Sequence, residues 1–437
     1  MSQHFDPWQW VQAEQIHRDL YTSEDIFALE MQRLWQRAWL FVGHDSQIPE
    51  SGDFITTVLA GQPVLMTRGD DGRISVLHNR CAHKGAPLSS EPQGNTGRLL
   101  RCAYHGWTYR PDGSLLGVPM RAGYEHSDFQ NSSARHGLTP FGEVAVHQGF
   151  VFARAQSDGS SFQDSMGELL QTLDLLVQRS PQGRLRVACG VLKTEFRANW
   201  KIYLENINDA FHPVTTHASV VQAATSAWGK PAEEAPVPLS MKQLLPFGAS
   251  YSFFEQMGAR LLPGGHSVLG TQQSLHTAYT ELGSYEQDLE AAHGHERAHA
   301  VLAFAPQNVV FYPSMSLKGM PQVMRVLRPL SAGRTILEAW AFEAVGAPTS
   351  LLENALLYNR QVFSPMSMVA HDDLHLFEGI QHSLSCAGNP WISLHRGGDT
   401  RMGMTPRDVS GIDEGLMRNQ YHAWAQLMQD EPQRRPG

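Results

Sequence analysis

Four potential metal ligands in two short segments constrain this chain more than any other feature. Cys81 and His83 form a Cys-x-His pair, Cys102 and His105 form a Cys-x-x-His pair, and 18 residues separate the two pairs. Two thiolates and two imidazoles on two loops can hold a metal centre. Zinc fingers use the same ligand types but group the two cysteines and then the two histidines. Here each half carries one of each, which argues against a zinc finger.

A second group of candidate ligands lies further along the chain. It consists of Glu205, Asn206, Asp209, His212 and His217. A helix predicted over 200–212 would put Asp209 and His212 on one face. His212 and His217 are five residues apart and would diverge on an unbroken helix. Pro213 should bend the chain, since the residue before a proline avoids the α region, and the two imidazoles could then converge.

Two histidines need a third ligand to define a metal site. Two His and one carboxylate form the facial triad of non-haem Fe(II) oxygenases, which leaves positions open for water, O₂ and substrate. Segment 371–381 offers Asp372 and Asp373. Taken singly, such a pair is an ordinary helix N-terminal charge, and any one of the 21 histidines is surface or core. Glu205 alone would be a helix-surface residue. Only the combination of these residues therefore indicates a metal site.

These segments together resemble the large (α) subunit of Rieske non-haem iron aromatic-ring-hydroxylating oxygenases. The likeness extends over nearly the whole chain, including segments 39–44 and 52–54. Rieske proteins hold a [2Fe–2S] cluster with two Cys on one iron and two His on the other, which raises its potential. The resemblance implies that the cluster ligands are Cys81, His83, Cys102 and His105. Gly85 and Gly106, just after the histidines, should form tight turns.

The resemblance also assigns the second site. The family's carboxylate-ligand helix carries Asp, then Glu five residues on and Gln three after that. Asp373, Glu378 and Gln381 match, which selects Asp373 over Asp372. The implied ligands of a mononuclear Fe(II) are His212, His217 and Asp373. Asp209 matches the family's bridging carboxylate, which links His212 to a cluster-ligand histidine of a neighbouring subunit, and Asn206 matches a motif asparagine near the iron.

The implied fold class is α+β. It pairs a small antiparallel β Rieske domain with a helix-grip (START-like) catalytic domain, a curved antiparallel sheet with long helices. The expected domains are an N-terminal helical segment over 1–40 that packs on the catalytic domain, the Rieske domain over 41–155 and the mononuclear iron domain over 156–437. Strands are predicted near 54–59, 64–66, 74–77, 144–152, 309–312, 323–327 and 335–340, and helices near 7–40, 285–300, 350–362 and 366–384.

The implied function is that of the terminal oxygenase of a multicomponent system. A ferredoxin or flavin reductase drawing on NAD(P)H would supply electrons through the cluster. O₂ would then hydroxylate or dihydroxylate a small aromatic substrate, with an aryl carboxylate as one candidate. The implied assembly is an α₃β₃ complex with a small β subunit, or a homotrimer.

Three other functions remain open from the residues. A Rieske monooxygenase or demethylase acting on O-methyl, N-methyl or quaternary amine groups would use identical metals. A non-catalytic Rieske electron-transfer protein would not need the second site. A zinc-stabilised binding protein would contain no iron.

The substrate pocket is predicted from apolar residues in the catalytic region. Candidate walls are Phe211, Met257, Phe311, Met315 and Phe363, each of which could equally be core packing. Arg325 could pair with an aryl carboxylate, although an ordinary strand charge is the favoured interpretation.

Composition limits the partners. A net charge of −9 argues against nucleic acid, and no apolar run reaches membrane-spanning length. The start of the sequence shows no secretory signal, so we expect a cytoplasmic protein, with Cys189 and Cys386 as buried free thiols. Five basic residues surround the first ligand pairs: Arg80, Lys84, Arg98, Arg101 and Arg110. They could steer an acidic electron donor or be ordinary surface charge.

Overall fold

The computed structural model describes residues 5–129, 133–157, 159–228, 237–276, 283–319, 322–364, 367–397 and 406–429. The chain divides into two compact units. The small unit is Gln36–Phe162, and the large unit combines Met1–Trp35 with Gln163–Gly437.

The secondary structure mixes strands and helices. The strands are β1 Gln15–His17, β2 Leu40–His44, β3 Asp53–Leu59, β4 Gln62–Arg68, β5 Ile74–His78, β6 Gln93–Asn95, β7 Leu100–Arg101, β8 Thr108–Tyr109, β9 Leu115–Gly117, β10 Glu143–His147, β11 Phe150–Arg154, β12 Leu185–Phe196, β13 Ala259–Leu261, β14 Ser267–Leu269, β15 Asn308–Phe311, β16 Met315–Lys318, β17 Val323–Ser331, β18 Arg334–Ala344, β19 Trp391–Ser393 and β20 Arg407–Val409. The α-helices are α1 Asp19–Thr22, α2 Glu24–Gln32, α3 Leu34–Arg37, α4 Ser133–His136, α5 Phe162–Met166, α6 Leu169–Val177, α7 Trp200–Ile207, α8 Pro213–Thr216, α9 Ala218–Ala227, α10 Leu239–Leu244, α11 Tyr251–Glu255, α12 Tyr285–His293, α13 His295–Ala303, α14 Thr349–Phe363, α15 Met368–Ser383 and α16 Gly415–Met428.

The small unit is built from short antiparallel sheets. A four-stranded sheet has the order β5-β4-β3-β6, and two three-stranded sheets have the orders β10-β11-β2 and β7-β8-β9. The predicted strands near 54–59, 64–66 and 74–77 are confirmed as β3, β4 and β5. The candidate cluster ligands lie on two loops, one after β5 and one between β7 and β8.

The large unit contains an eight-stranded antiparallel sheet with long helices. Its strand order is β12-β18-β17-β16-β15-β14-β13-β20. A buried apolar cluster joins Val323 and Ala339 of the sheet to Tyr358, Val362 and Phe363 of α14. The long helices α14 and α15 match the predicted helices near 350–362 and 366–384, and residue 366 lies outside the described residues. The expected α+β class, with a curved sheet and long helices, is confirmed.

The predicted helix over 7–40 is broken into shorter pieces. The Ser23 hydroxyl accepts a hydrogen bond from the Ile26 amide at 3.2 Å and so caps α2, as its position before two acidic residues predicted. Residues 15–17 instead form strand β1, which pairs with β19. β2, which begins at Leu40, belongs to the small unit.

The structure also bears on the two cysteines outside the candidate cluster site and on membrane-spanning segments. Cys189 and Cys386 are free thiols, but both are exposed, so their predicted burial is wrong. Cys189 lies where β12 departs from its register with β18 and has a φ of +56°, which turns it out of the regular ladder. Within the described ranges, every helix is too short or too polar to cross a membrane.

Candidate metal centres

The two loops of the small unit close in the same way. The Gly85 amide donates to the Cys81 carbonyl at 3.0 Å, and the Gly106 amide donates to the Cys102 carbonyl at 2.9 Å. Gly85 has a φ of +76° and Gly106 a φ of +70°, in the left-handed region that favours glycine. The predicted tight turns are therefore confirmed, although one loop carries its histidine one position later than the other.

The side chains of these loops converge as a cluster would require. Cys81 and Cys102 are buried, with 2% exposure each. The rings of His83 and His105 have centroids 4.6 Å apart, and His83 stacks on Trp107. The buried Nδ1 of His83 has no hydrogen-bond partner. A buried, unpartnered imidazole nitrogen beside two buried thiols fits a metal ligand.

The Cys81 sulfur also has a fixed partner. Its Sγ lies 3.1 Å from the Tyr109 hydroxyl, and the same hydroxyl accepts a hydrogen bond from the Ala82 amide at 3.2 Å. Burial raises the pKa of the Cys81 thiol. A bound metal would counteract this and favour the thiolate, while the Tyr109 hydroxyl would donate to it.

The basic residues near these loops all face solvent. Arg80, Lys84, Arg98, Arg101 and Arg110 are exposed, as is the His105 ring. Arg98 has one acidic neighbour, Asp70, with 3.8 Å between Nε and Oδ2. The small unit therefore presents positive charge beside the candidate cluster ligands.

Helix α7 brings the first residues of the second site into place, but it is shorter than predicted. The Asn199 side chain caps it by accepting from the Lys201 amide at 3.1 Å, and the helix ends at Ile207. Beyond it, the Asp209 carboxylate accepts from the Phe211 amide at 2.6 Å. Such a side chain–backbone bond competes with helical pairing, so the predicted helix over 200–212 is wrong in its second half.

Pro213 also acts differently from the prediction. His212 has helical dihedral angles, with φ −58° and ψ −34°, despite preceding a proline. Pro213 is the first residue of α8, a position where its missing amide hydrogen costs nothing. The chain therefore turns at 208–211, before His212, and the short helix then carries His217 round to the same side.

His212, His217 and Asp373 converge. The Nε2 atoms of the two histidines lie 3.8 Å and 3.5 Å from Oδ1 of Asp373. The candidate ligand atoms of all three residues lie within 4.8 Å of one another. In the part of the chain that the structure describes, this is the one group of three His, Cys, Asp or Glu side chains with such convergence. Two imidazoles and one carboxylate fit a non-haem iron centre.

A carboxylate lies near the Nδ1 atom of each histidine. Asp209 Oδ2 lies 3.7 Å from Nδ1 of His212, and Asp372 Oδ2 lies 3.5 Å from Nδ1 of His217. With Nδ1 facing a carboxylate, Nε2 of each ring is directed towards Asp373. Sequence register ruled out Asp372 as a ligand, and it gave no signal that Asp372 contacts His217.

Burial controls the charges at this site. Burial and the nearby His212 lower the pKa of His217 to about 4, so its imidazole is neutral at neutral pH and available as a ligand. Burial raises the pKa of Asp373 to about 6, and a bound cation would favour the ionised form. Burial also tends to raise the pKa of Asp209, but His212 and Arg396 outweigh it and lower the pKa overall.

Asn206 lies between the candidate ligands. Its Nδ2 atom is 3.1 Å from Nε2 of His212 and 3.3 Å from Oδ1 of Asp373. The predicted site residues from the 205–217 segment and from α15 are therefore brought together. Asn206 is close enough to set the separation of two of the ligand atoms.

Glu378 and Gln381, which follow Asp373 on α15, both bind the backbone just before α7. Glu378 accepts a hydrogen bond from the Arg197 amide at 3.2 Å, and Gln381 accepts from the Asn199 amide at 3.0 Å. These two bonds fix α15 against the segment that enters α7. The helix that carries Asp373 is thereby held against the helix that precedes His212.

A buried hydrogen-bond network around Glu30 holds the start of α7 in place. The sequence did not predict it. Glu30 is fully buried and accepts hydrogen bonds from Lys201 at 2.6 Å, Trp200 at 2.9 Å and Trp424 at 2.7 Å. A buried carboxylate is stable only with such partners. No sequence pattern connects residues this far apart in the chain.

Glu205 belongs to a neighbouring network and is not a surface residue. Its Oε1 accepts a hydrogen bond from Tyr21 at 2.5 Å and another from Tyr421. Burial raises the pKa of Glu205 to about 7. Tyrosines near both ends of the chain therefore fix the helix that begins the metal-binding segment.

The three candidate ligands line a small cavity of about 60 Å³. Apolar side chains form much of its wall, including Phe247, Phe254, Val362 and Phe363. The cavity also contains Lys318 and Arg325. Arg325, for which an ordinary strand charge was the favoured interpretation, is only 5% exposed and so is not a solvated surface charge.

Four of the five predicted pocket walls are not among the described residues that line this cavity. Phe363 lines it, but Phe311 and Met315 pair across β15 and β16 on the face opposite to Ser316 and Arg325. Side chains alternate between faces along a strand, and sequence alone did not fix which face is the cavity. Met257 lies in the apolar core, and Phe211 stacks on Tyr251.

Comparison with known proteins agrees with this architecture. A family model described as the Rieske [2Fe-2S] domain matches residues 38–129, and one described as the ring hydroxylating alpha subunit (catalytic domain) matches residues 186–430. Toluate 1,2-dioxygenase subunit alpha of Pseudomonas putida is 27% identical, covering 94% of this chain and 90% of that protein. Anthranilate 1,2-dioxygenase large subunit of Acinetobacter baylyi is 29% identical, covering 95% and 89%.

A solved structure has the same fold. Naphthalene 1,2-dioxygenase from Rhodococcus sp., bound to indole, superposes with a TM-score of 0.77 at 23% identity, covering 96% of this chain and 95% of that one.

The chain belongs to the ring-hydroxylating alpha subunit family, whose catalytic-domain model matches more than half of its 437 residues. It is an oxidoreductase of the Rieske oxygenase type. Its cofactors are accordingly a Rieske [2Fe–2S] cluster and a mononuclear iron, and the observed donor sets fit both.

Proposed function

We propose that this protein is the terminal oxygenase component that hydroxylates or dihydroxylates an aryl carboxylate. The observation that carries the proposal is the convergence of His212, His217 and Asp373 at a cavity that both apolar and polar side chains line. Relatives named for toluate and anthranilate favour an aromatic acid over an uncharged arene.

We propose a separate role for each of the two ligand sets. His212, His217 and Asp373 would hold the iron, and Cys81, His83, Cys102 and His105 would hold the cluster. When bound, the cluster supplies electrons and the iron activates O₂. We assign the cluster to residues 41–155 and the iron to 156–437, with the N-terminal segment 1–40 supporting the latter.

The chain's own residues bind, orient and exclude water. Asp209 and Asp372 would keep the Nδ1 protons of His212 and His217, so that both Nε2 atoms remain free to ligate. Asn206 would hold the His212 and Asp373 ligand atoms at a fixed separation. The apolar wall with Phe247, Phe254 and Phe363 would pack against the aromatic ring and keep bulk water from the reacting face.

The proposed partners are an electron donor and further subunits. A ferredoxin or flavin reductase that draws on NAD(P)H would dock beside the exposed positive charges around the candidate cluster ligands. We propose a trimeric assembly, either α₃β₃ with a small β subunit or a homotrimer, in the cytoplasm. In this assembly Asp209 would link His212 to a cluster-ligand histidine of the neighbouring subunit.

Metal analysis tests the proposed sites. We expect about three iron atoms per chain, two in the cluster and one in the facial triad, with a Rieske-type visible spectrum and a reduced-state EPR signal. NADH-driven O₂ uptake with a panel of aryl carboxylates, hydrocarbons and methylated amines should yield a hydroxylated aryl carboxylate, identified by mass. Protein that binds zinc alone, or that gives product only from methylated amines, would contradict the proposal.

Asp372 offers a test of ligand orientation. Asp372→Asn should lower iron affinity or turnover roughly 10- to 100-fold, since the amide can direct its NH₂ group at Nδ1–H of His217 and no longer stabilises that proton. Iron retained after dialysis against a chelator measures the effect. Asp288→Asn, at an exposed aspartate of α12, is the control. Equal iron retention in Asp372→Asn and wild type would remove Asp372 from the orienting residues.

A further inference from the structure

Two buried cations share the cavity with the candidate iron ligands. Lys318 is 3% exposed and Arg325 is 5% exposed, and both line the cavity. Neither makes a salt bridge with an Asp or Glu among the described residues. Buried cations without an anionic partner are rare, because taking a charge out of water is costly.

Three other buried cations of the large unit are paired with carboxylates. Lys201 Nζ lies 2.6 Å from Glu30, and Arg418 Nη2 lies 2.8 Å from Asp413. Arg328 Nε lies 3.3 Å from Glu338. The fold thus supplies carboxylates to these three cations, whereas the two in the cavity have none among the residues that the structure describes.

The contacts that Lys318 and Arg325 do make are with neutral groups. Lys318 Nζ donates to the Gln307 carbonyl at 3.3 Å and lies 5.6 Å from the centre of the Tyr358 ring. Burial and the nearby Arg325 lower the pKa of Lys318 well below its usual range. The cavity without an anion thus disfavours the ammonium form of Lys318, and a carboxylate bound beside it would favour that form again.

Arg325 also retains binding capacity. Its Nη2 donates to Asn308 Oδ1 at 2.7 Å, and the guanidinium lies 4.9 Å from the centre of the Phe363 ring. Its buried Nε has no hydrogen-bond partner. An unused N–H in a planar fork is suited to a carboxylate oxygen.

Strand register places the two cations side by side. β16 and β17 pair antiparallel, with Lys318 opposite Val323 and Ser316 opposite Arg325. Opposed residues share a face, and residues two apart on one strand share that face too. Lys318 and Arg325 are therefore diagonal neighbours on the face that lines the cavity.

We propose that Lys318 and Arg325 bind the carboxylate group of an aromatic acid and so determine the substrate's charge and orientation. The ring of the acid then packs against Phe247, Phe254 and Phe363, in the same cavity as His212, His217 and Asp373. This inference rests on the proposed oxygenase function and assigns its specificity to two residues of the sheet.

Equilibrium binding tests the assignment without turnover. Benzoate and its uncharged counterpart benzamide are titrated calorimetrically into the iron-loaded oxygenase in the absence of an electron donor. Lys318→Met should lower the benzoate-to-benzamide affinity ratio roughly 10- to 100-fold, the effect expected when a hydrogen bond to a charged group is lost. A loss of general packing would weaken both ligands together and leave this ratio unchanged.

A second variant and a control guard against misfolding. Arg325→Gln keeps a donor for Asn308 while removing the charge, and it should also lower the ratio. Lys193→Met removes an exposed lysine of the same sheet and should leave the ratio unchanged. The cluster's visible spectrum reports folding of each variant.

The outcomes separate this inference from the proposed function. Wild-type protein that hydroxylates benzoate, with variants whose affinity ratio is unchanged, overturns the anion site and leaves the oxygenase function intact. Wild-type protein that oxidises uncharged arenes but neither binds nor oxidises benzoate overturns both the substrate class and the anion site. A lowered ratio in protein that oxidises no arene supports the anion site and contradicts the oxygenase function.

Discussion

Replacing Asp373 with alanine should abolish turnover while the red-brown colour of the cluster persists. Asp373 Oδ1 lies within 4 Å of Nε2 of both His212 and His217, so its loss leaves two imidazoles without the carboxylate of the triad. Metal catalysis is worth several kcal/mol, and turnover should fall by about 10³-fold or more. His212→Ala should have the same effect.

The measurement pairs product formation with metal content. Iron should fall by about one atom per chain, while the cluster's visible and EPR spectra stay those of the wild type. Asp288→Ala, on exposed α12, is the matched control and should keep full activity. Full activity in Asp373→Ala or His212→Ala would remove that residue from the ligand set.

Asp209→Asn should have the next largest effect, on the rate of the reaction and not on metal content. The Asp209 carboxylate lies 3.7 Å from Nδ1 of His212, and Arg396 Nη2 lies 3.8 Å from the same carboxylate. An asparagine can still accept from the Phe211 amide, but its NH₂ group would then face the Nδ1–H of a metal-bound His212. The variant should lose the proposed link to the neighbouring subunit and slow product formation roughly 10- to 100-fold.

A single-turnover experiment isolates this step. Oxygenase with a prereduced cluster is mixed with O₂ and substrate, and product is quantified over time. Asp209→Glu, which restores the charge, should recover part of the rate. An unchanged single-turnover rate in Asp209→Asn would falsify the bridging role.

The sequence predicted which candidate ligands come together because much of the pattern is local. The Cys and His pairs each lie within four residues, and both loops need a glycine with positive φ, which the sequence supplies. The register of Asp373, Glu378 and Gln381 also predicted which aspartate faces the two histidines. In the structure the last two residues of that motif bond to the backbone before α7.

The errors arise where distant contacts override local pattern. Helical spacing predicted a helix over 200–212, but the Asp209 carboxylate caps the Phe211 amide and the chain turns. β-favouring residues at 309–312 and 323–327 predicted strands without revealing which face lines the cavity, so Phe311 and Met315 were wrongly assigned to its wall. The partners of Glu30 and Glu205 come from both ends of the chain, beyond the reach of any periodicity.

Glu30 and Glu205 make the support of α7 depend on a distant part of the chain. Helix α7 needs hydrogen bonds from Tyr421 to Glu205 and from Trp424 to Glu30. Both donors lie more than 200 residues after α7 in the chain. The loops that carry the candidate cluster ligands are therefore synthesised before either donor, whereas the hydrogen bonds that hold α7, and with it the histidines that follow, are complete only once α16 has been made and has docked.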